Sequence, residues 1–154
     1  ADRMLTTQVL VGGEESGGIG YGTHIPERDA LLSALYLLEA VVKSGEDLSD
    51  IYSRLQTETN FTSAYDRIDL HLANMDERSR LLDLLQNQPL TEIAGKAVVD
   101  CNKVDGYKFR LADGSWLLIR FSGTEPVLRL YSEAATLKEV MQNLNWAKSW
   151  AQKG

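Results

Sequence analysis

The 154-residue chain is short of several things. It has one cysteine, Cys101, so no internal disulfide can form, which fits a reducing compartment. Cys101 has no histidine beside it and no Cys-x-x-Cys spacing, and reads as a small apolar residue. The two histidines, His24 and His71, stand far apart with no partners at metal-ligand spacing, which excludes a histidine-built metal site. There is no apolar run of about 18 or more residues and no leader-like opening, so the chain is expected to be soluble and cytoplasmic, with no membrane partner. Cations are in deficit, with 16 Lys and Arg against 22 Asp and Glu and a formal net charge of −6. A general nucleic-acid binder needs a basic face, so that class is set aside. No repeat or low-complexity tract occurs.

What is present is an ordinary globular mixture, 44% hydrophobic and 25% charged, long enough for one domain or a small domain plus part of another. One stretch stands out: Arg120-Phe121-Ser122-Gly123-Thr124-Glu125-Pro126 lies between two strand-like runs. Arg120 offers a planar fork of donors that suits a phosphate. Ser122 and Thr124 add neutral donors. Gly123 can take a positive φ, which lets neighbouring N–H groups converge on an anion. Pro126 fixes the exit and withholds a donor. The competing reading is an ordinary polar loop with an exposed arginine.

In chain order, residues 8–11 form a short apolar run that predicts a buried strand feeding the glycine-rich loop Gly13-Glu14-Glu15-Ser16-Gly17-Gly18. Glu14 can accept from sugar hydroxyls and Ser16 can donate or accept. The loop has no Lys-Ser/Thr ending and is not a Walker-type phosphate loop; the competing reading is a plain connector. A helix start is expected at Ile25-Pro26, with His24 just before it. Residues 30–42 form a helix apolar nearly all round, which calls for burial on most sides, and Lys43-Ser44-Gly45 closes it. A second helix spans 48–56. Residues 64–73 alternate as a strand, the domain boundary falls near Asn74, and a helix over 75–86 starts with Asp76 as its cap.

The second half predicts a compact α+β domain with four strands, 96–103, 107–112, 115–121 and 127–133. Asp105-Gly106 and Asp113-Gly114 signal hairpins with primed turns. Thr136-Leu137-Lys138-Glu139 is a capping box that opens a final helix packed across the sheet. Trp116, Trp146 and Trp150 read as core or helix–sheet packing. Arg129 either reaches the phosphate or faces solvent; Lys108 and Arg110 read as solvated.

The Arg-then-Ser-Gly-Thr-Glu-Pro stretch resembles the phosphate-binding loop of the last domain of the α-D-phosphohexomutases, the family of phosphoglucomutase and phosphomannomutase. The Gly13–Gly18 stretch and the following Gly20-Tyr21-Gly22-Thr23-His24-Ile25-Pro26-Glu27-Arg28-Asp29 resemble that family's sugar-binding loop and its extension. The resemblance implies a partial α/β third domain over 1–74 and a fourth domain over 75–154, a TATA-binding-protein-like four-stranded antiparallel sheet with helices. It implies Glu14 and Ser16 on the sugar, Arg120, Ser122, Gly123 and Thr124 on the non-reacting phosphate, and a phosphorylated hexose as partner. For the whole enzyme it implies Mg²⁺ and glucose 1,6-bisphosphate. The phosphoserine loop and the three-aspartate metal loop have no counterpart here, so no catalytic residue is expected and the chain alone should be inactive. A hinge near Asn74 would let the last domain release and reorient substrate, and the exposed helix favours self-association. The alternative is a stand-alone phosphosugar-binding or regulatory module.

Overall fold

A computed structural model describes residues 2–14 and 17–153. The chain forms two compact units, 1–61 and 62–154. No described helix is long and apolar enough to cross a membrane.

The first unit contains α1 (Asp2–Thr6), an antiparallel hairpin of β1 (Val11–Gly13) and β2 (Ile19–Tyr21), then α2 (Ala30–Ser44) and α3 (Leu48–Thr59). The strand expected over 8–11 is shorter, later and not buried: Leu10 is 87% exposed. β1 pairs with β2 alone. The helix does not begin at Ile25-Pro26. It begins at Ala30, because Asp29 is the residue whose carboxylate accepts the Leu32 N–H at 2.9 Å, the bond that makes an N-cap. Gly45 closes α2 with φ 71° and an N–H donated to the Val41 carbonyl, the left-handed C-terminal cap expected there.

No residue of α2 is buried; Leu31, Leu38 and Val42 are 75%, 59% and 73% exposed. Covering one such side chain releases about 1.5–3 kcal/mol, so several together outweigh the entropy of ordering a partner surface. The 154-residue chain is therefore expected to self-associate through α2. Light scattering should show mass rising with concentration, and Leu31→Lys with Leu38→Lys should return a monomer; a monomeric parent chain that binds no apolar dye would contradict this.

The second unit holds β3 (Ala64–His71), α4 (Met75–Asn87), β4 (Glu92–Ile93), β5 (Lys96–Asn102), β6 (Tyr107–Leu111), β7 (Trp116–Phe121), β8 (Val127–Ala134) and α5 (Leu137–Lys153). The sheet has six strands, not four, in the order β3-β8-β7-β6-β5-β4, every neighbouring pair antiparallel. The four expected strands are its centre. The extra edge strand β3 is the alternating 64–73 run, paired with β8 from Ala64↔Ala134 to His71↔Val127. That pairing moves the division between units to Phe61/Thr62. Asn74 lies inside the second unit as the N-cap of α4, its Oδ1 accepting the Glu77 N–H at 2.9 Å. Asp76, expected as the cap, lies instead in the first turn of α4.

The core lies between one sheet face and α4 and α5. Leu117, Ile119, Leu128 and Leu130 meet Leu81 and Leu85 of α4 and Val140, Leu144 and Ala147 of α5, nearly all fully buried. The capping box forms: Glu139 accepts the Thr136 N–H at 3.0 Å, and Thr136 Oγ1 accepts the Glu139 N–H at 3.3 Å. A buried polar bridge sets the register of α5, with Asn143 Nδ2 donating to Ser132 Oγ at 3.1 Å and Ser132 Oγ donating to the Trp116 carbonyl at 2.7 Å. Trp146 and Trp150 pack against the core as expected. Trp116 does not; it lies on the opposite sheet face, with Lys108 Nζ 4.1 Å from its ring centroid. A cation over an indole face is favourable, so Lys108 is not simply solvated. Both Asp-Gly stretches make hairpins, but Gly106 (φ 87°) and Gly114 (φ 85°) are left-handed and their aspartates are not. A two-residue type I′ turn needs both, so these are longer connections.

Candidate functional site

The second unit's loop, residues 122–126, joins β7 to β8. It is closed by Ser122 N–H to the Val127 carbonyl (3.0 Å) and Val127 N–H to the Glu125 carbonyl (2.8 Å). Ser122 Oγ accepts the Glu125 N–H at 3.3 Å, a side-chain turn of the kind serine favours. The Pro126 carbonyl accepts the Leu72 N–H at 2.8 Å, tying the loop exit to the end of β3. Gly123 does not use the left-handed region open to it. The Ser122 turn reverses the chain without a positive φ. A Cβ at Gly123 would meet no atom within 4 Å, so the glycine leaves the backbone open to approach. Gly123 and Thr124 are exposed at the tip.

Two arginines flank this loop on one sheet face. Arg120 on β7 stands opposite Arg129 on β8, and Arg129 stands opposite Asp69 on β3. Arg129 Nε is buried and has no hydrogen-bond partner among the described residues. Like charges directly opposite each other destabilise a strand pair, and an unpaired buried donor adds to that cost. Asp105 relieves part of it, its Oδ1 lying 3.2 Å from Arg120 Nε. Asp105 gets there through Gly106: a Cβ at that position would lie 2.7 Å from the Ile119 carbonyl oxygen, so only glycine lets the turn press against β7. The corner encloses a cavity of about 240 Å³ lined by Leu82, Lys103, Asp105, Tyr107, Arg120 and Phe121.

From α4, Arg78 Nε donates to the Ser122 carbonyl at 2.9 Å, its guanidinium 5.8 Å from the Phe121 ring centroid. Sequence reasoning does not single out Arg78, Asp105 or Lys103. Asp105 reads there only as a turn residue, and nothing local marks Arg78, which lies 44 residues from its acceptor.

The first unit's loop joins β1 to β2. Glu14 N–H donates to the Gly18 carbonyl at 2.9 Å and Gly17 N–H to the Glu14 carbonyl at 3.0 Å, with Gly17 at φ 89°. Glu14 Oε2 accepts from Arg28 Nη1 at 3.0 Å. Ser16 lies outside the described residues. His24 Nε2 lies 3.0 Å from the Asp29 carboxylate, so it supports the cap of α2. The Leu32 N–H holds the Asp29 carboxyl below its ordinary range, with burial opposing and His24 adding to the effect. Glu14, Gly18 and Arg28 line a cavity of about 270 Å³. Burial pushes the Cys101 thiol up, which suits a packing residue and not a nucleophile.

A glycine-rich hairpin loop in one unit, and an Arg-Ser-Thr loop on an antiparallel sheet in the next, are the two features on which the resemblance to the sugar-phosphate mutases rests. The sequence matches agree. Residues 1–58 match a model of phosphoglucomutase/phosphomannomutase, alpha/beta/alpha domain III, and residues 76–144 match the C-terminal domain of the same group. The chain belongs to the phosphoglucomutase/phosphomannomutase family. It is 28% identical to a phosphoglucomutase/phosphomannomutase of Thermococcus kodakarensis over 94% of its length, and 33% identical to a phosphoglucosamine mutase of Limosilactobacillus reuteri over 88%. It spans 29% and 25% of the lengths of those relatives. A solved structure from Thermus thermophilus, itself only provisionally assigned as a phosphomannomutase, matches 98% of the chain and 28% of its own, with TM-score 0.72 and 31% identity. The family generally uses Mg²⁺, but no group of three or more His, Cys, Asp or Glu among the described residues could hold a metal ion.

Arg78 is expected to hold the 122–126 loop in shape. Arg78→Ala should weaken inorganic phosphate binding about ten-fold, with Arg78→Lys recovering part of the loss, as measured by calorimetry. Unchanged affinity in Arg78→Ala would remove it from the site.

Proposed function

We propose that this chain supplies the ligand-recognition part of a hexose-phosphate mutase, an enzyme interconverting hexose 1-phosphate and hexose 6-phosphate, with glucose phosphates as the first substrates to test. The observation that carries the reading is the Arg120–Arg129 pair, with its buried, unpartnered Arg129 Nε. Two adjacent guanidiniums with too few internal acceptors favour a dianion placed between their donors. Phosphate fits that need. Arg120 supplies the fork, Ser122 and Thr124 supply hydroxyl donors, and the open backbone at Gly123 admits the phosphate oxygens. Arg129 joins them as a second cation.

In the same proposal Glu14 accepts from sugar hydroxyls and Ser16 completes that loop. Relatives are named for phosphoglucosamine as well as for phosphoglucose and phosphomannose, and these sugars differ in groups that Glu14 and Ser16 would meet. Phosphoryl transfer depends on positioning the moving group, and binding energy at the non-reacting phosphate can be used for that orientation. Because either phosphate position reacts in turn, the loop must take the other in each case. Its exposed tip suits that exchange.

The test is amide-shift mapping by NMR with glucose 1-phosphate, glucose 6-phosphate and inorganic phosphate. Shifts centred on residues 120–124 are expected with all three, and added shifts at residues 14–18 with the two sugars only. No response at residues 120–124 at millimolar ligand would count against the phosphate reading. Mutase turnover by the 154-residue chain is expected to be undetectable in a coupled assay; measurable turnover would overturn the assignment of recognition alone.

A further inference from the structure

Arg28 crosses the first unit's loop in a way the assignment of Glu14 does not explain. Its backbone is fixed on both sides. The next residue, Asp29, caps α2 and donates its N–H to the Ile19 carbonyl at 2.9 Å. The preceding residue, Glu27, accepts both the Arg28 N–H at 2.8 Å and Arg28 Nε at 3.2 Å through one oxygen, Oε1. The guanidinium then reaches Glu14 Oε2 through Nη1. The stem lies directly over Gly18: a Cβ there would stand 2.5 Å from Arg28 Cδ, 3.1 Å from Cγ and 3.3 Å from Glu14 Oε2. Contacts under 3.0 Å force something to move. Gly18 does not have a positive φ, so its backbone would accept alanine. Space, not conformation, favours glycine here, because a larger residue would have to displace the Arg28 stem.

We propose that Arg28 is a positioning residue for Glu14, and that Gly18 is glycine in order to admit the Arg28 stem across the loop. This rests on the reading that residues 14–18 handle the sugar. The pair is solvent-exposed, with side chains 58% and 49% accessible, and exposed pairs add little to stability. Its consequence is orientation. A carboxylate held at Oε2 is fixed in direction, and the planar fork of arginine holds that geometry better than the point charge of lysine. Glu27 locks the fork through Nε, so the guanidinium meets Glu14 from one direction only.

The test is a mutant cycle with ligand-free and ligand-bound readouts, all in the 154-residue chain. Without ligand, ¹⁵N NMR of arginine side chains should resolve a protected Arg28 Nε–H line. Gly18→Ala should collapse it into the exchange-averaged arginine signals by displacing the stem; an unchanged line would overturn the proposal whatever the ligand does. With ligand, Arg28→Ala should weaken glucose 1-phosphate binding about ten-fold and leave inorganic phosphate within about two-fold. Arg28→Lys should recover only part of the loss. Gly18→Ala should match the loss in Arg28→Ala, and the double variant should be no worse than either single one. Additive losses, or full recovery with lysine, would overturn the proposal. A parent chain that binds glucose 1-phosphate no better than inorganic phosphate would count against the sugar reading itself, and the NMR arm would still decide the placement of Arg28.

Discussion

The register between β7 and β8 is the constraint from which the second unit follows. Leu118 faces Tyr131, Ile119 faces Leu130, Arg120 faces Arg129 and Phe121 faces Leu128. Because side chains alternate across a strand, a slip of one residue would send Leu117 and Ile119 out of the core and Arg120 into it. The apolar loss alone is about 1.5–3 kcal/mol per side chain, and a buried unpaired guanidinium would add more. The same register that fills the core with Leu117, Ile119, Leu128 and Leu130 therefore also sets two arginines side by side at the mouth of the 122–126 loop. The core and the proposed binding chemistry depend on one pairing.

The sheet can carry that unfavourable pair because its other face is well anchored. α5 packs across β8 and β3, and Asn143 bridges it to Ser132 and from there to the Trp116 carbonyl. A buried polar link of this kind penalises sliding of the helix, since each displaced group would lose its partner at about 1–3 kcal/mol. The first unit has no such reserve among its described residues. Its hairpin pairs only with itself, and α2 offers apolar side chains on nearly every side. What holds it locally is hydrogen bonding at its ends: the Asp29 and Gly45 caps and the Tyr21 hydroxyl donating to Ser33 Oγ at 3.1 Å.

Much of this is legible in the sequence where the signal is local and periodic. The apolar repeat of 30–42, the Thr136–Glu139 capping box and the alternation of the central strands each depend on neighbours within one turn or one strand. Sequence reasoning goes astray where a competing partner decides. Asp76 has the chemistry of a cap, but Asn74, two residues earlier, takes the Glu77 N–H. Gly123 has the freedom of a left-handed pivot, but the Ser122 hydroxyl turns the chain without one. The 64–73 run is recognisable as a strand, yet its place at the β8 edge is invisible, because strand pairing is not encoded in alternation.

The supports of both loops share that invisibility and also share a design. Glu14 is held by Arg28 across the hairpin, and Arg120 is held by Asp105 across a neighbouring turn. In each case the group proposed to bind ligand is oriented by an opposite charge that is itself exposed to solvent. A buried partner would have to be left unpaired in a low dielectric when ligand arrives, at a cost of several kcal/mol. An exposed partner can be handed back to water at little cost. For Arg120 the exchange would favour the proposed phosphate, because a phosphate brings up to about two charges and three strong acceptor oxygens where Asp105 brings one charge. On the proposed function, Asp105 can thus keep the fork of Arg120 aimed at the loop without competing strongly with a phosphate.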